Sequence, residues 1–296
     1  MTATATRPIN ILLQTTIRYD EDDWHVGRFS MLRDYIAGLS GADGEPLARV
    51  TARDRHPGPS GQDPVLSAID SSDQDQVWLF GVDVGADTGI NGPECRALTK
   101  FRERGGAIMA SRDHQDVGTS LCTLGGIGKA HFFHSIHPDP DPAHRMRDDP
   151  YTTYIDFPNF HSGDNGDVQR VRAVEPIHPV FAAGGMVGTL PAHPHEGDVG
   201  KPVDDDSARV VATGTSAATG RPFNVAVAFE SAHGNGRGWA VSTFHQFADF
   251  NWDPRAGCPS FVTEKPSEAL ARDPALLADT KRYVRNLVAW LGRRAR

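Results

Sequence analysis

Apolar positions in the first third of the chain fall into short runs separated by amphipathic or polar stretches. Ile9–Ile17 (INILLQTTI) is a continuous apolar-rich run and predicts a first buried strand. Ala48–Ala52 (ARVTA), Gln76–Val82 (QVWLFGV) and Ala107–Ala110 (AIMA) predict three more. Phe29, Leu32, Ile36 and Leu39 recur at helical spacing and predict a helix that ends at Gly41. Pro93–Arg104 predicts another, with Pro near its start and Gly105-Gly106 after its end, the asymmetry that helices favour. Strands alternating with helices in this way are the signature of a parallel sheet covered on both faces.

The rhythm then breaks. Residues 131–170 are rich in His, Pro and Asp and predict a long insertion that covers the sheet. Ala208–Gly214, Phe223–Glu230 and Gly238–Phe244 are three β-like runs between Gly-rich turns, expected as antiparallel strands added to the sheet edge. The last run, Asp273–Gly292, is amphipathic, with Tyr283, Val284, Leu287, Val288 and Leu291 mostly on one face. No repeat or linker divides the chain. The expectation is one α/β domain over 1–296: a flavodoxin-like parallel sheet with helices on both faces, an antiparallel C-terminal extension and the covering insertion at 131–170.

Composition narrows the classes. With 39% hydrophobic and 23% charged residues, the chain is that of a globular protein. A net charge of −8 and a pI near 5.9 argue against nucleic-acid binding, which needs clustered cations. The start, MTATATRPIN, lacks the apolar core of a signal peptide, and no run approaches the roughly 18 apolar residues of a membrane span. Cys95, Cys122 and Cys258 are widely spaced and odd in number, which fits a reducing compartment. The expected location is the cytoplasm, with neither membrane nor nucleic acid as partner.

In open α/β sheets ligands sit beyond the carboxyl ends of the strands. That rule puts the loops Asp20–His25, Asp83–Asn91 and Ser111–Gly118 on one crest. The turn Ser111-Arg112-Asp113-His114 stands where many α/β enzymes carry a nucleophile, yet it has no Cys and no Gly-x-Ser-x-Gly. A carboxylate beside an imidazole there could instead form a proton-transfer pair. The bland alternative is that Asp113 pairs with neighbouring loops and His114 caps a helix.

The order of the pieces resembles the class I glutamine amidotransferase-like superfamily, and within it the trehalose-utilisation (ThuA-like) family. The residues that carry the resemblance are His178-Pro179-Val180-Phe181, His195-Glu196-Gly197, Arg209–Ser216 (RVVATGTS), Gly236–Phe247 (GRGWAVSTFHQF) and the closing Ala289-Trp290-Leu291-Gly292. The departure from the superfamily is the missing elbow Cys, which removes thioester-forming glutamine hydrolysis. The ThuA-like family lacks that Cys as well, and the resemblance implies carbohydrate chemistry. Glu196 matches the acidic position of the family.

The candidate residues follow. Glu196 and His114 are the expected proton-transfer groups, and Asp113 orients His114. Asn159, His161, His245, Asp249 and Trp252 are expected to bind substrate, since aromatic rings beside carboxylates and amides suit a sugar. His193 and His195 would share one strand face with Glu196 on the other, and they offer ligands for a divalent metal. The spacing of His131, His134 and His137 could also hold a metal on a helix, though a loop role is the plainer reading. Cys122 reads as a small buried hydrophobe within a helix. The leading function is an enzyme acting on a carbohydrate or polyol-like small molecule by acid/base hydrolysis, isomerisation or elimination. The alternative is a non-catalytic domain that binds a ligand or protein, and self-association is compatible with either.

Overall fold

The computed structural model describes residues 7–85, 88–142, 144, 155–159, 168–232, 234–265 and 268–292. An eight-stranded mixed sheet forms its centre. The first four strands in the chain are β1 (Ile9–Thr15), β2 (Ala48–Arg53), β3 (Gln76–Phe80) and β4 (Ala107–Ser111). They lie parallel in the order β2-β1-β3-β4. The boundaries agree with the apolar runs to within two residues.

One expectation needs correcting. The strand Gly238–Val241 is not at an edge and not antiparallel to the first four: it lies against β4, parallel, with Val241 opposite Ser111. The antiparallel part begins beyond it, with Pro222–Phe229, then Ala208–Thr215, then the short Arg172–Ala173. A buried apolar tetrapeptide such as GWAV suits either direction of pairing, so its pattern left the neighbour open.

The period of two along the strands sorts their side chains onto two faces. Ile11, Leu13, Trp78, Phe80, Met109, Trp239 and Val241 join a core with Phe29, Leu32 and Ile36 and with the C-terminal helix Pro274–Leu291. Leu12, Val77, Leu79, Ile108, Ala110 and Ala240 meet Leu98 and Phe101 of the helix Gly92–Glu103 on the other face. That helix starts on a reciprocal cap, Asn91 with Glu94. The expected Phe29–Leu39 helix is a 3-10 turn at Val26–Phe29 followed by Ser30–Ala37. Cys122 sits in the 3-10 turn Thr119–Thr123 rather than in an α-helix.

The region 131–170 is described only in part. It contributes two short pairings, His131–Phe132 with Asp198–Val199 and Phe157–Pro158 with His195–Glu196. His161 lies outside the described residues. Among the described residues no helix is long and apolar enough to cross a membrane.

Candidate functional site

β4 and Gly238–Val241 are parallel neighbours, so their carboxyl ends open onto the same edge. Arg112, Asp113 and His114 leave one strand; Ser242, Thr243 and His245 leave the other. The pairing continues one step further, Phe244 donating its backbone N–H to the Arg112 carbonyl at 2.8 Å. The segment carrying His193 to Asp198 folds over this seam. Gly197 donates to the Ser242 carbonyl at 3.1 Å, and a side chain at Gly197 would meet the backbone oxygens of Asp113 and Ser242 at 2.5 and 2.6 Å. This is a close approach that only glycine permits.

Asp113 is the hub. Its Oδ2 lies 3.2 Å from His245 Nε2 and 3.2 Å from His114 Nδ1, and Thr243 Oγ1 donates to Oδ1 at 3.5 Å. A chain of close rings surrounds it. His114 meets His195 with ring centroids 3.8 Å apart, His195 meets His193 at 4.2 Å, and His193 stacks on His245 at 3.5 Å. His245 Nδ1 faces Asn251 Oδ1 at 3.1 Å, and Asn251 in turn donates its amide to the Ala192 carbonyl at 3.1 Å. Trp24, from the loop after β1, stands edge-on to His245 at 4.9 Å.

Burial governs the electrostatics. It would raise the Asp113 carboxyl, but the imidazoles of His114, His245 and His193 hold it well below the usual range. Burial would lower His114, and the adjacent Asp113 carboxylate raises it instead. His193 and His195 are pushed well down, first by burial and then by neighbouring imidazoles, chiefly His245 for His193 and His114 for His195. Asp113, His193 and His245 are buried, whereas the side chains of His114 and His195 keep 21% and 14% of their exposure. Those two rings form the part of the cluster that solvent reaches.

Glu196 sits apart from that opening. It is fully buried, takes the Ser242 hydroxyl at 2.9 Å and faces the Asn159 amide at 3.5 Å. Burial pushes its carboxyl up to about 8. The His193 and His195 rings lie together, and Glu196 bonds instead to Ser242 and Asn159. Glu196 and Asn159 are brought together as a buried pair, not as solvent-facing groups.

Two expected substrate ligands do other work. Asp249 accepts from Ser30 N and Oγ at 2.9 and 2.6 Å and from Met31 N at 2.8 Å, so its oxygens are spent on the start of the helix Ser30–Ala37. Trp252 is buried in the core and donates its indole N–H to the Gln246 carbonyl at 2.9 Å. An aromatic–carboxylate string packs a core edge as readily as it lines a pocket.

His131, His134 and His137 do not converge. His131 is fully buried, His134 pairs with Asp156, and His137 Nε2 lies 3.0 Å from the Lys129 carbonyl. Beside the main cluster, buried Arg112 reaches Asp156 Oδ2 and the Asp198 carbonyl, each at 3.3 Å. A small cavity lies there, lined by His134, Asp139, His144, Asp156 and Asp198.

Sequence reasoning passed over Thr243 as a member of the cluster and reached Trp24 only as part of the crest loop Asp20–His25. For Asn251 a signal existed: it follows His245 by six residues, within reach of a short turn.

No family model matches the chain, and no curated protein matches it. Solved structures do. The mmIFT52 N-terminal domain is 10% identical, covering 96% of this chain and 97% of that one, with a TM-score of 0.52. The glutaminase domain of Trypanosoma brucei CTPS with bound acivicin is 14% identical, covering 90% and 94%, at 0.46. A ThuA-like protein from Parabacteroides merdae is 14% identical, covering 80% and 79%, at 0.41. Of these three, the first exceeds 0.5, and at its identity the likeness concerns the fold alone. The fold is α/β, a large and mostly parallel sheet between helices.

Proposed function

We propose that the chain is a ThuA-like enzyme that acts on a carbohydrate or similar polyol by acid/base chemistry, without amidotransferase activity. The observation that carries this reading is the Asp113–His114–His195 arrangement at the carboxyl ends of two parallel strands. His114 is the proton-transfer group: its ring lies against the Asp113 carboxylate, 3.2 Å away, and reaches solvent. Asp113 orients that ring. His195, 3.8 Å from it between ring centroids, offers a hydrogen bond to a substrate hydroxyl. Glu196 ties the His195 segment to the Ser242 strand end.

A second reading has an observation in its favour. Most of the cluster is buried and its members satisfy one another, as they would in a non-catalytic domain that binds a ligand or protein.

The test is a thermal-shift screen of wild type and His114→Gln against sugars, 3-keto sugars and polyols. A ligand present at about a hundred times its dissociation constant adds about 2.7 kcal/mol to stability. A stabilising sugar whose turnover His114→Gln abolishes supports the enzyme. No shift with any of them, on folded protein, supports the binding domain.

A further inference from the structure

We propose that Asp139, His144 and Asp198 bind a divalent first-row transition-metal ion, at a place separate from the Asp113 cluster. One ligand atom of each lies within 4.8 Å of the others. All three line one cavity of about 20 Å3, which has room for a single water or a single ion. The strand His131–Phe132 pairs with Asp198–Val199 and brings the turn that follows it to Asp198. That turn is held from within: Asp141 donates its N–H to Asp139 Oδ1 at 2.7 Å, and His144 donates its own to the Asp141 carbonyl at 3.0 Å. Asp139 Oδ2 and His144 Nδ1 are thereby presented together, 3.1 Å apart. Ligands about 2.1 Å from one ion stand about 3.0–3.4 Å from each other.

The charge around the cavity exceeds what an ordinary ion pair would balance. Asp139, Asp156 and Asp198 keep 5%, 4% and 6% of their exposure, and a buried carboxylate needs a partner. Arg112 meets the Asp156 carboxylate at 3.3 Å but reaches Asp198 only at its backbone carbonyl. The Asp198 carboxyl turns instead to that of Asp139, within hydrogen-bonding reach. A protonated His144 balances one carboxylate, not two. Two carboxyls this close hold both negative charges only with a cation between them. A single shared proton would also hold them together, and a metal titration tells the two cases apart.

His134, which lines the same cavity, is the second sign of a ligand. Its Nε2 is buried and lies against Asp156 Oδ1, yet makes no hydrogen bond. A nitrogen and an oxygen in contact but out of line for a hydrogen bond are disposed like two ligands aimed at a third atom. Carboxylates mixed with imidazole suit manganese, iron, cobalt or zinc, whereas calcium and magnesium take oxygen ligands. Binding of the ion does not depend on the sugar reading above.

The full chain, stripped with EDTA, is titrated with Co2+ and then with Zn2+ in competition. The expected result is one equivalent per chain, with visible Co2+ ligand-field bands that Zn2+ abolishes and an excess of Mg2+ does not. Affinity is expected to be at least about tenfold weaker in Asp198→Asn and in His144→Gln. His195→Gln, in the Asp113 cluster, is expected to bind as wild type does. Should Asp198→Asn fail to fold, His144→Gln decides alone, since that side chain keeps 34% of its exposure and is the easier to replace. Displacement by Mg2+, retention in either folded variant, or loss in His195→Gln overturns the proposal. Absence of stoichiometric Co2+ binding overturns it too, and assigns a shared proton to the Asp139–Asp198 pair. A negative sugar screen with Co2+ binding intact would sink the enzyme reading and leave the site standing.

Discussion

His245 Nε2 and Asp113 Oδ2 face each other at 3.2 Å across the seam between two parallel strands, 132 residues apart in the chain. Removing the carboxylate leaves three imidazoles around an empty centre. Breaking a buried charged pair costs about 3–5 kcal/mol. Asp113→Ala is expected to lose that much in urea denaturation, and Asp113→Asn less, because the amide keeps the shape. An alanine variant as stable as wild type would show that the hub contributes nothing to folding.

Asp249 is a capping residue. It holds the first backbone N–H groups of the helix Ser30–Ala37 from a distant part of the chain. Cap removal costs about 0.5–2 kcal/mol. Asp249→Ala should lower the melting temperature accordingly and leave the affinity of any ligand of the cluster unaltered. A variant with normal stability and lost binding would return Asp249 to the site.

Gly197→Ala is expected to destabilise by about 1–3 kcal/mol, the usual range for overpacking. The added methyl has backbone oxygens on two sides, at 2.5 and 2.6 Å, and backbone gives way less easily than a side chain. Chemical denaturation measures the loss; a neutral result would mean that the His193–Asp198 segment can lift off the seam freely.

His178 makes stability depend on acid. Burial, with Arg209 and Arg237 nearby, pushes its pKa down to about 3, and Glu230 lies 3.6 Å away. The unfolded ring titrates near 6.5, so below about pH 6.5 the unfolded chain takes up a proton that the folded chain refuses. Stability is complete above that pH and falls as pH drops toward 3. His178→Asn keeps a side-chain acceptor for the Val180 N–H and removes the titration. Between pH 7 and 5 the variant should lose about 2 kcal/mol less than wild type. Parallel losses in the two proteins would assign the acid sensitivity elsewhere.

Local pattern foretold local structure well. The run INILLQTTI is apolar on both faces and became a strand covered on both faces. Pro93 and Gly105 bracket the helix they were expected to bracket. Neighbour choice was not legible, because GWAV satisfies its hydrophobic demand beside any strand. The gathering of Asp113, His114 and His245 was legible through residue type and position at a strand end, that of His193 and His195 only through a shared strand face. For Asp249 and Trp252 the pattern was ambiguous, since the same residue types serve a cap, a core and a binding site. Trp24 was hidden in an acidic loop, and only the chain's return at His245 gives it a partner.

The parallel placement of Gly238–Val241 against β4 has a consequence for how the protein is made. A ribosome finishes β4 and the turn with Asp113 long before it reaches His245. Until then the edge of β4 is bare, and the carboxylate has no imidazole from the far strand to face. Domain formation must wait for the last quarter of the chain, and contacts between such distant residues close slowly. A nascent chain arrested before residue 238 would carry an unprotected central strand and be the species most prone to aggregate.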